Sequence, residues 1–119
     1  LFRSEKSVAE MFKPNWIYNG KNGNNYGGAI LNYGLGVYRI DGKSTSRVCK
    51  NFEVNLIGHT GVAFGMLSGI FFIPETKNGF IYMMNGTAID EDADPRSHGN
   101  FSGNYIWEEN LMDAILNFI

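Results

Sequence analysis

Cysteine is nearly absent from this chain. Cys49 stands alone, so no internal disulfide can form. Charge is sparse as well: 18% of the residues are charged and the formal net charge is −2. Lys and Arg are scattered, which leaves no electrostatic footprint for nucleic acid. No apolar run approaches the ~20 residues that a membrane helix needs, and no signal peptide is visible. No Ser is followed three places later by Lys, and no Tyr is followed two places later by Asn. Gly34 and Gly36 lack the third glycine of a dinucleotide fingerprint, which excludes a nucleotide reading. Nothing calls for a cofactor or a metal.

Apolar residues and glycine are plentiful. At 119 residues and 44% hydrophobic content, the chain is one folded domain's worth, residues 1–119. It opens on Leu1 rather than Met, which suggests a trimmed, tagged or truncated chain whose missing start could hold both a signal and more of the domain.

Ser4 to Lys13 reads as a short helix. Ser7 with Glu10 fits a capping box, and Ser4 is an equally good cap. Val8, Met11 and Phe12 give one apolar face, and Pro14 ends the helix. Asn19 to Asn32 is a Gly/Asn loop rich in turn signals. Tyr33 to Ile40 reads as one strand, with Gly34 and Gly36 on one face where something packs closely. Asp41-Gly42 is a turn, and Lys43 to Asn51 is a polar excursion.

Strands follow over Val54 to Thr60 and Ala63 to Ile73. The turn Pro74 to Gly79 closes a hairpin with Phe80 to Met84. Both hairpin strands are apolar at both parities, which implies burial on two faces. Thr87 to Asn104 is a long polar loop. Asp90, Asp92 and Asp94 have calcium-loop spacing, but Pro95 and Phe101 occupy positions where that loop needs Gly and Glu. A helix from Tyr105 to Ile119 closes the chain, with Trp107, Leu111, Ile115 and Phe118 as its apolar stripe.

The run from His59-Thr60-Gly61 through Pro74-Glu75 to the apolar strand ending at Asn85 resembles the last strands of serine β-lactamase-like proteins. These are the class C β-lactamase, DD-peptidase and esterase group, in which a Lys-Thr-Gly or His-Thr-Gly strand lines the active site. Tyr33-Gly34-Leu35-Gly36 and the Ser7-Val8-Ala9-Glu10-Met11 helix match earlier pieces in order. The resemblance spans Ser7 to Asn85, about the C-terminal third of such a domain.

It implies an α+β fold: an antiparallel sheet of three to four strands with the N- and C-terminal helices packed on one face. It also implies hydrolysis of a β-lactam, a D-amino-acid peptide or a small ester through an acyl-serine, in a periplasmic or secreted protein. His59 and Thr60 would face the substrate carboxylate or carbonyl. The backbone N–H of Val62 would be one oxyanion donor, and Gly61 would leave room for the ligand. Many relatives have Gly where this chain has Val62. The nucleophilic Ser-x-x-Lys is absent, so this chain alone is expected to be inert, with His59 and Thr60 accessible at a strand end or edge. In the family, the strand matching Phe80 to Met84 pairs on its outer side with an N-terminal strand. Without it, that edge is expected to join copies into a homo-oligomer.

Other nucleophile patterns are weaker. Ser68 is one place off a nucleophile elbow. Ser102-Gly103-Asn104 falls on the wrong side of the Thr-Gly strand for the family's second motif. Cys49 with His59 or His98 has nothing to order it. The rival readings are a stand-alone, non-catalytic binding or interaction domain, and an unrelated structural domain with a chance triplet.

Overall fold

The computed structural model describes residues 4–42, 48–51, 53–86 and 98–119. The chain is α+β. Six strands form one antiparallel sheet in which every strand pairs with its sequence neighbours, in the order β1 to β6. The strands are β1 Trp16–Ile17, β2 Asn32–Tyr33, β3 Tyr38–Ile40, β4 Leu56–Ala63, β5 Met66–Phe72 and β6 Gly79–Met84. Helix α1 spans Glu5–Phe12 and helix α2 spans Ile106–Leu116. Six strands replace the expected three or four because two short strands escape periodicity. Strand β1 and strand β2 are two residues each, too short to show an alternation.

Strand β2 and strand β3 divide what reads as one strand over Tyr33 to Ile40. Gly36 has a φ of 70°, and the Gly34 N–H donates to the Val37 carbonyl at 2.8 Å, closing a tight turn. Of the two glycines expected at a close approach, Gly34 packs closely, since a side chain there would strike the Met11 carbonyl at the end of α1, whereas Gly36 faces open space and serves the turn.

The longest pairing is β4 with β5, from Ile57↔Phe72 to Ala63↔Met66. Its two-residue turn is Phe64-Gly65, with φ of 51° and 78°. Two positive φ values are the hairpin signature whose twist matches the strands. The break therefore falls three residues later than an end at Thr60 implies, and the His-Thr-Gly triplet lies inside β4. The cost of a non-glycine residue at positive φ falls on Phe64, which is fully exposed.

Register fixes the two faces. Tyr38, Ile40, Leu56, Gly58, Thr60, Leu67, Gly69, Phe71, Phe80 and Tyr82 share one face. Met112 and Leu116 of α2 join Tyr38, Ile40, Leu56, Phe71 and Tyr82 there in the core, with Val48, Cys49 and Ile73. Gly69 makes room for this packing, because a side chain there would overlap the Tyr82 ring.

Arg39, Ile57 and Phe72 lie on the other face, where α1 packs. The Phe12 and Phe72 rings are 5.0 Å apart, and an Arg39 guanidinium N–H donates to the Phe12 carbonyl. The two helices thus cover opposite faces, not one. Helix α1 begins at Ser4, whose Oγ accepts the Ser7 N–H at 3.2 Å.

Helix α2 also turns a different side inward from the one its apolar stripe predicts. Glu108, Glu109, Met112 and Leu116 are buried. Trp107 is 47% exposed and Phe118 is 91% exposed. Two carboxylates displace the indole because buried donors await them. The Tyr82 hydroxyl donates to Glu108 at 2.6 Å. Glu109 accepts from the Asn100 N–H at 2.7 Å, the Phe101 N–H at 3.2 Å and the Ser102 hydroxyl at 2.7 Å. Leaving such donors unpaired costs about 1–3 kcal/mol each.

This orientation separates two substitutions that the apolar stripe ranks the other way. Met112→Ala should cost about 2–5 kcal/mol, whereas Trp107→Ala should stay within about 1 kcal/mol. Urea unfolding followed by circular dichroism measures both. A larger loss at Trp107 than at Met112 would show that α2 is turned the other way.

Candidate functional site

Strand β4 outruns its neighbour. Strand β3 pairs with β4 only over Leu56 to Gly58, while β5 pairs with it to Ala63. Among the described residues, the strand from His59 to Ala63 therefore has a β-partner on one side only. Alternate residues of a strand direct both N–H and C=O to the same side. The triplet and Val62 thus lie on a stretch whose second side has no strand among the described residues.

His59 is exposed, Thr60 and Gly61 are half-buried, and Val62 is 53% exposed. Accessibility at a strand edge is what the triplet's expected setting requires. The side chains of His59 and Thr60 do not share a face, however. His59 stands opposite Ile70, on the α1 face, and Thr60 opposite Gly69, on the α2 face. A ligand touching both side chains must lie along the strand edge, not over either face.

His59 is held at both ring nitrogens. Nδ1 is 2.6 Å from the Thr60 carbonyl oxygen, and Nε2 bonds to the Tyr33 hydroxyl. The two rings meet edge to face, with centroids 5.9 Å apart. Tyr33 lies two strands away, but β3 begins only at Tyr38, opposite Gly58. Its ring reaches β4 past the end of β3. Sequence reading placed Tyr33 in the Tyr-Gly-Leu-Gly match without linking it to His59, and no spacing signals such a contact between residues 26 apart.

A groove of about 280 Å³ runs along the α1 face beyond the helix, lined by His59, Gly61, Ser68, Ile70, Ile81 and Met83 among others. Among the described residues, its lining holds no Lys, Arg, Asp or Glu. Ser68 lies mid-strand, and its hydroxyl donates to the Gly61 carbonyl at 3.3 Å. This geometry agrees with a structural serine.

The remaining candidates separate. Ser102 is buried and donates to Glu109, so it braces the loop before α2. Cys49 is buried in the core and bonds to Asp113, away from both histidines. His98 pairs with Tyr105 in an isolated bridge. No group of three potential metal ligands occurs among the described residues. Asp90, Asp92 and Asp94, and most of the polar excursion after Gly42, lie outside the described residues. No described helix is long and apolar enough to cross a membrane.

One shifted group, Tyr33, lies beside His59: burial raises it above the ordinary phenol range, with Tyr26 adding to it. The other shifted groups lie at α2. Burial raises Tyr38 and Tyr82 above the ordinary phenol range, and the neighbouring Glu108 charge raises Tyr82 further. Burial also raises Glu108, opposed by the hydrogen bond from Tyr82. Asp113 is lowered, chiefly by the Lys50 N–H, which donates to it at 2.9 Å.

Comparison with family models, curated proteins and solved structures finds no match to this chain.

Glu108 gives a pH-dependent stability of definite sign. Its folded value lies above the ordinary 4.5. The stabilisation linked to its proton is complete below the unfolded value and is lost as pH rises through the folded one. Glu108→Gln keeps an acceptor for Tyr82 and removes the titration. As pH rises from about 4.5 towards neutrality, the wild-type Tm should fall relative to that of the variant. Thermal melts across that span measure the difference, and a constant gap would show that Glu108 does not titrate there.

Proposed function

We propose that this chain is the C-terminal, substrate-lining part of a serine β-lactamase-like hydrolase. One observation carries the reading: the His59-Thr60-Gly61 triplet and Val62 occupy a solvent-accessible stretch of β4 with one side unpaired among the described residues. Acyl transfer to a serine needs a main-chain donor for the tetrahedral oxyanion and an extended edge to hold the substrate. An open strand edge offers both. In this reading the Val62 N–H is one oxyanion donor and the nucleophile's own N–H is the other. Gly61 carries no side chain into the path of the ligand, and Thr60 and His59 flank it from opposite faces.

The nucleophile and its Lys belong to a preceding segment of a longer protein. The substrate class is a β-lactam, a D-amino-acid peptide or an ester, and the compartment implied is periplasmic or secreted. The longer reading frame tests the proposal. It should encode a Ser-x-x-Lys and a Tyr-x-Asn upstream, and the full product should be labelled covalently by a fluorescent penicillin or a fluorophosphonate. An upstream sequence with neither motif overturns the reading. The present chain should hydrolyse neither a chromogenic β-lactam nor p-nitrophenyl esters. Turnover above that of a His59→Ala, Ser68→Ala control would show a nucleophile unaccounted for.

Self-association belongs to the same proposal. Strand β6 ends the described sheet, and Ile81 and Met83 on it are 69% and 71% exposed. Its Phe80 to Met84 segment has no charge, proline or bulge to blunt an edge. Two copies joining β6 to β6 would close a two-fold assembly. Size-exclusion chromatography with light scattering should return a dimer or larger species at tens of micromolar. A clean monomer would remove this edge as a contact.

A further inference from the structure

We infer that the outward stripe of α2 joins two copies of this chain, paired antiparallel about a two-fold axis with Trp107 of each copy against Phe118 of the other. The fold leaves this stripe uncovered among the described residues. Helix α2 buries Glu108, Glu109, Met112 and Leu116. At 3.6 residues per turn, its opposite side carries Trp107, Ala114 and Phe118, with Leu111 at the flank. Trp107 and Ala114 are exposed, Phe118 almost fully so, and Leu111 is half-buried. Phe118 follows the helix, and its N–H donates to the Ile115 carbonyl at 2.9 Å, which prolongs the last turn. An indole and a phenyl ring on one exposed side of a helix gain from being taken out of water.

The stripe fits itself. Its positions, 107, 111, 114 and 118, are spaced four, three and four residues apart, the spacing of a helix–helix seam. Read from either end, the spacing is the same. A two-fold axis between positions 112 and 113 therefore sets Trp107 against Phe118 at both ends and Leu111 against Ala114 twice in the middle. This reciprocity is the condition for a closed contact between identical surfaces. A large side chain meets a small one at the centre, where the two helices come closest. Charge does not oppose the pairing. The carboxylates of α2 are Glu108 and Glu109, which are buried, and Asp113, which accepts the Lys50 N–H at 2.9 Å. Like charges therefore do not face each other across the axis, and Asn110 and Asn117 supply a polar rim. Two indoles and two phenyl rings, with their smaller neighbours, bring the contact to about 1,000 Å², the lower bound of a specific interface.

The contact involves neither the β6 edge nor the His-Thr-Gly triplet, so its test is separate from that of the hydrolase reading. Sedimentation equilibrium of the chain at tens of micromolar should show a dimer, and a monomer overturns the proposal without recourse to any variant. Trp107→Ala, which leaves the core in place, should weaken the dimer at least about 30-fold. An oligomer whose affinity that variant leaves unchanged overturns the α2 contact and leaves β6 as the interface. The chain has two tryptophans, Trp16 and Trp107. Labelling with 5-fluorotryptophan gives each a ¹⁹F signal, which Trp107→Ala assigns. Ala114→Glu, which puts a carboxylate at the centre of the seam, is the monomeric reference. The Trp107 signal should shift less between H₂O and D₂O in the wild type than in that reference, while Trp16 behaves alike in both. An equal solvent shift at Trp107 overturns the proposal.

Charge tests the register. Trp107→Glu and Phe118→Lys, both at exposed positions, should each abolish the dimer when alone. Mixed in equal amounts, the two variants should pair. One end of the antiparallel contact then holds opposite charges, and the other keeps the wild-type aromatic pair. A parallel pairing gives no such match. Mixed variants that stay monomeric, while the wild type dimerises through Trp107, overturn the antiparallel register.

Discussion

The register of β4 on β5 governs the rest of this molecule. Seven facing pairs, from Ile57↔Phe72 to Ala63↔Met66, determine which residues meet α2 and which meet α1. A slip of one residue would carry Phe71 and Leu67 to the α1 face and Ile70 to the α2 face. The Phe64-Gly65 turn sets that register from one end, since a two-residue loop with both φ values positive admits no slack. Glycines set it from the interior. Gly58 faces Phe71, and a side chain at 58 would strike the Phe71 ring and the Ile70 carbonyl. Gly69 does the same for Tyr82. The aromatic rings of the core therefore sit where the neighbouring strands have no side chains.

Helix α2 obeys a second requirement that hydrophobicity does not express. Burying the stripe of Trp107, Leu111 and Ile115 would carry more apolar surface into the core. It would also strand the Tyr82 hydroxyl and the N–H groups of Asn100 and Phe101. Turning Glu108 and Glu109 inward satisfies all of them and still brings Met112 and Leu116 to the sheet. An unpaired buried donor costs about as much as the burial of a side chain gains, so the hydrogen-bonded arrangement prevails.

These two cases mark what could be read in the sequence. The strands from Leu56 to Met84, the turn at Pro74 to Gly79 and both helices were legible because runs of apolar residues and caps state them directly. The β4–β5 turn was not, since Phe64-Gly65 lies within an unbroken apolar run and phenylalanine rarely takes a positive φ. Helix rotation was hidden because the deciding groups, Tyr82 and the loop before Tyr105, lie elsewhere in the chain. Of the candidate site, the triplet itself was plain. Its placement on the open stretch of β4 depends on β3 stopping at Tyr38, and the hold on His59 depends on a tyrosine two strands away. Neither leaves a mark in local spacing.

The apolar parity of β5 and β6 shows how the two faces differ in energy. On the α2 face that parity is covered, with Phe71 and Tyr82 buried. On the other face α1 covers only the end at Ile57 and Phe72. Ile70, Ile81 and Met83 remain 56%, 69% and 71% exposed. Full burial of such a side chain is worth about 1.5–3 kcal/mol. Whatever covers that face, a further segment of a longer protein or a second copy, gains several kcal/mol from these three residues alone. In the proposed hydrolase reading, the same cover would also exclude water from the neighbouring edge of β4, where a hydrogen bond to a developing oxyanion strengthens as the surroundings become less polar. In that reading, the exposed apolar face and the open edge of β4 make one demand: the element that completes the sheet's packing also completes the site.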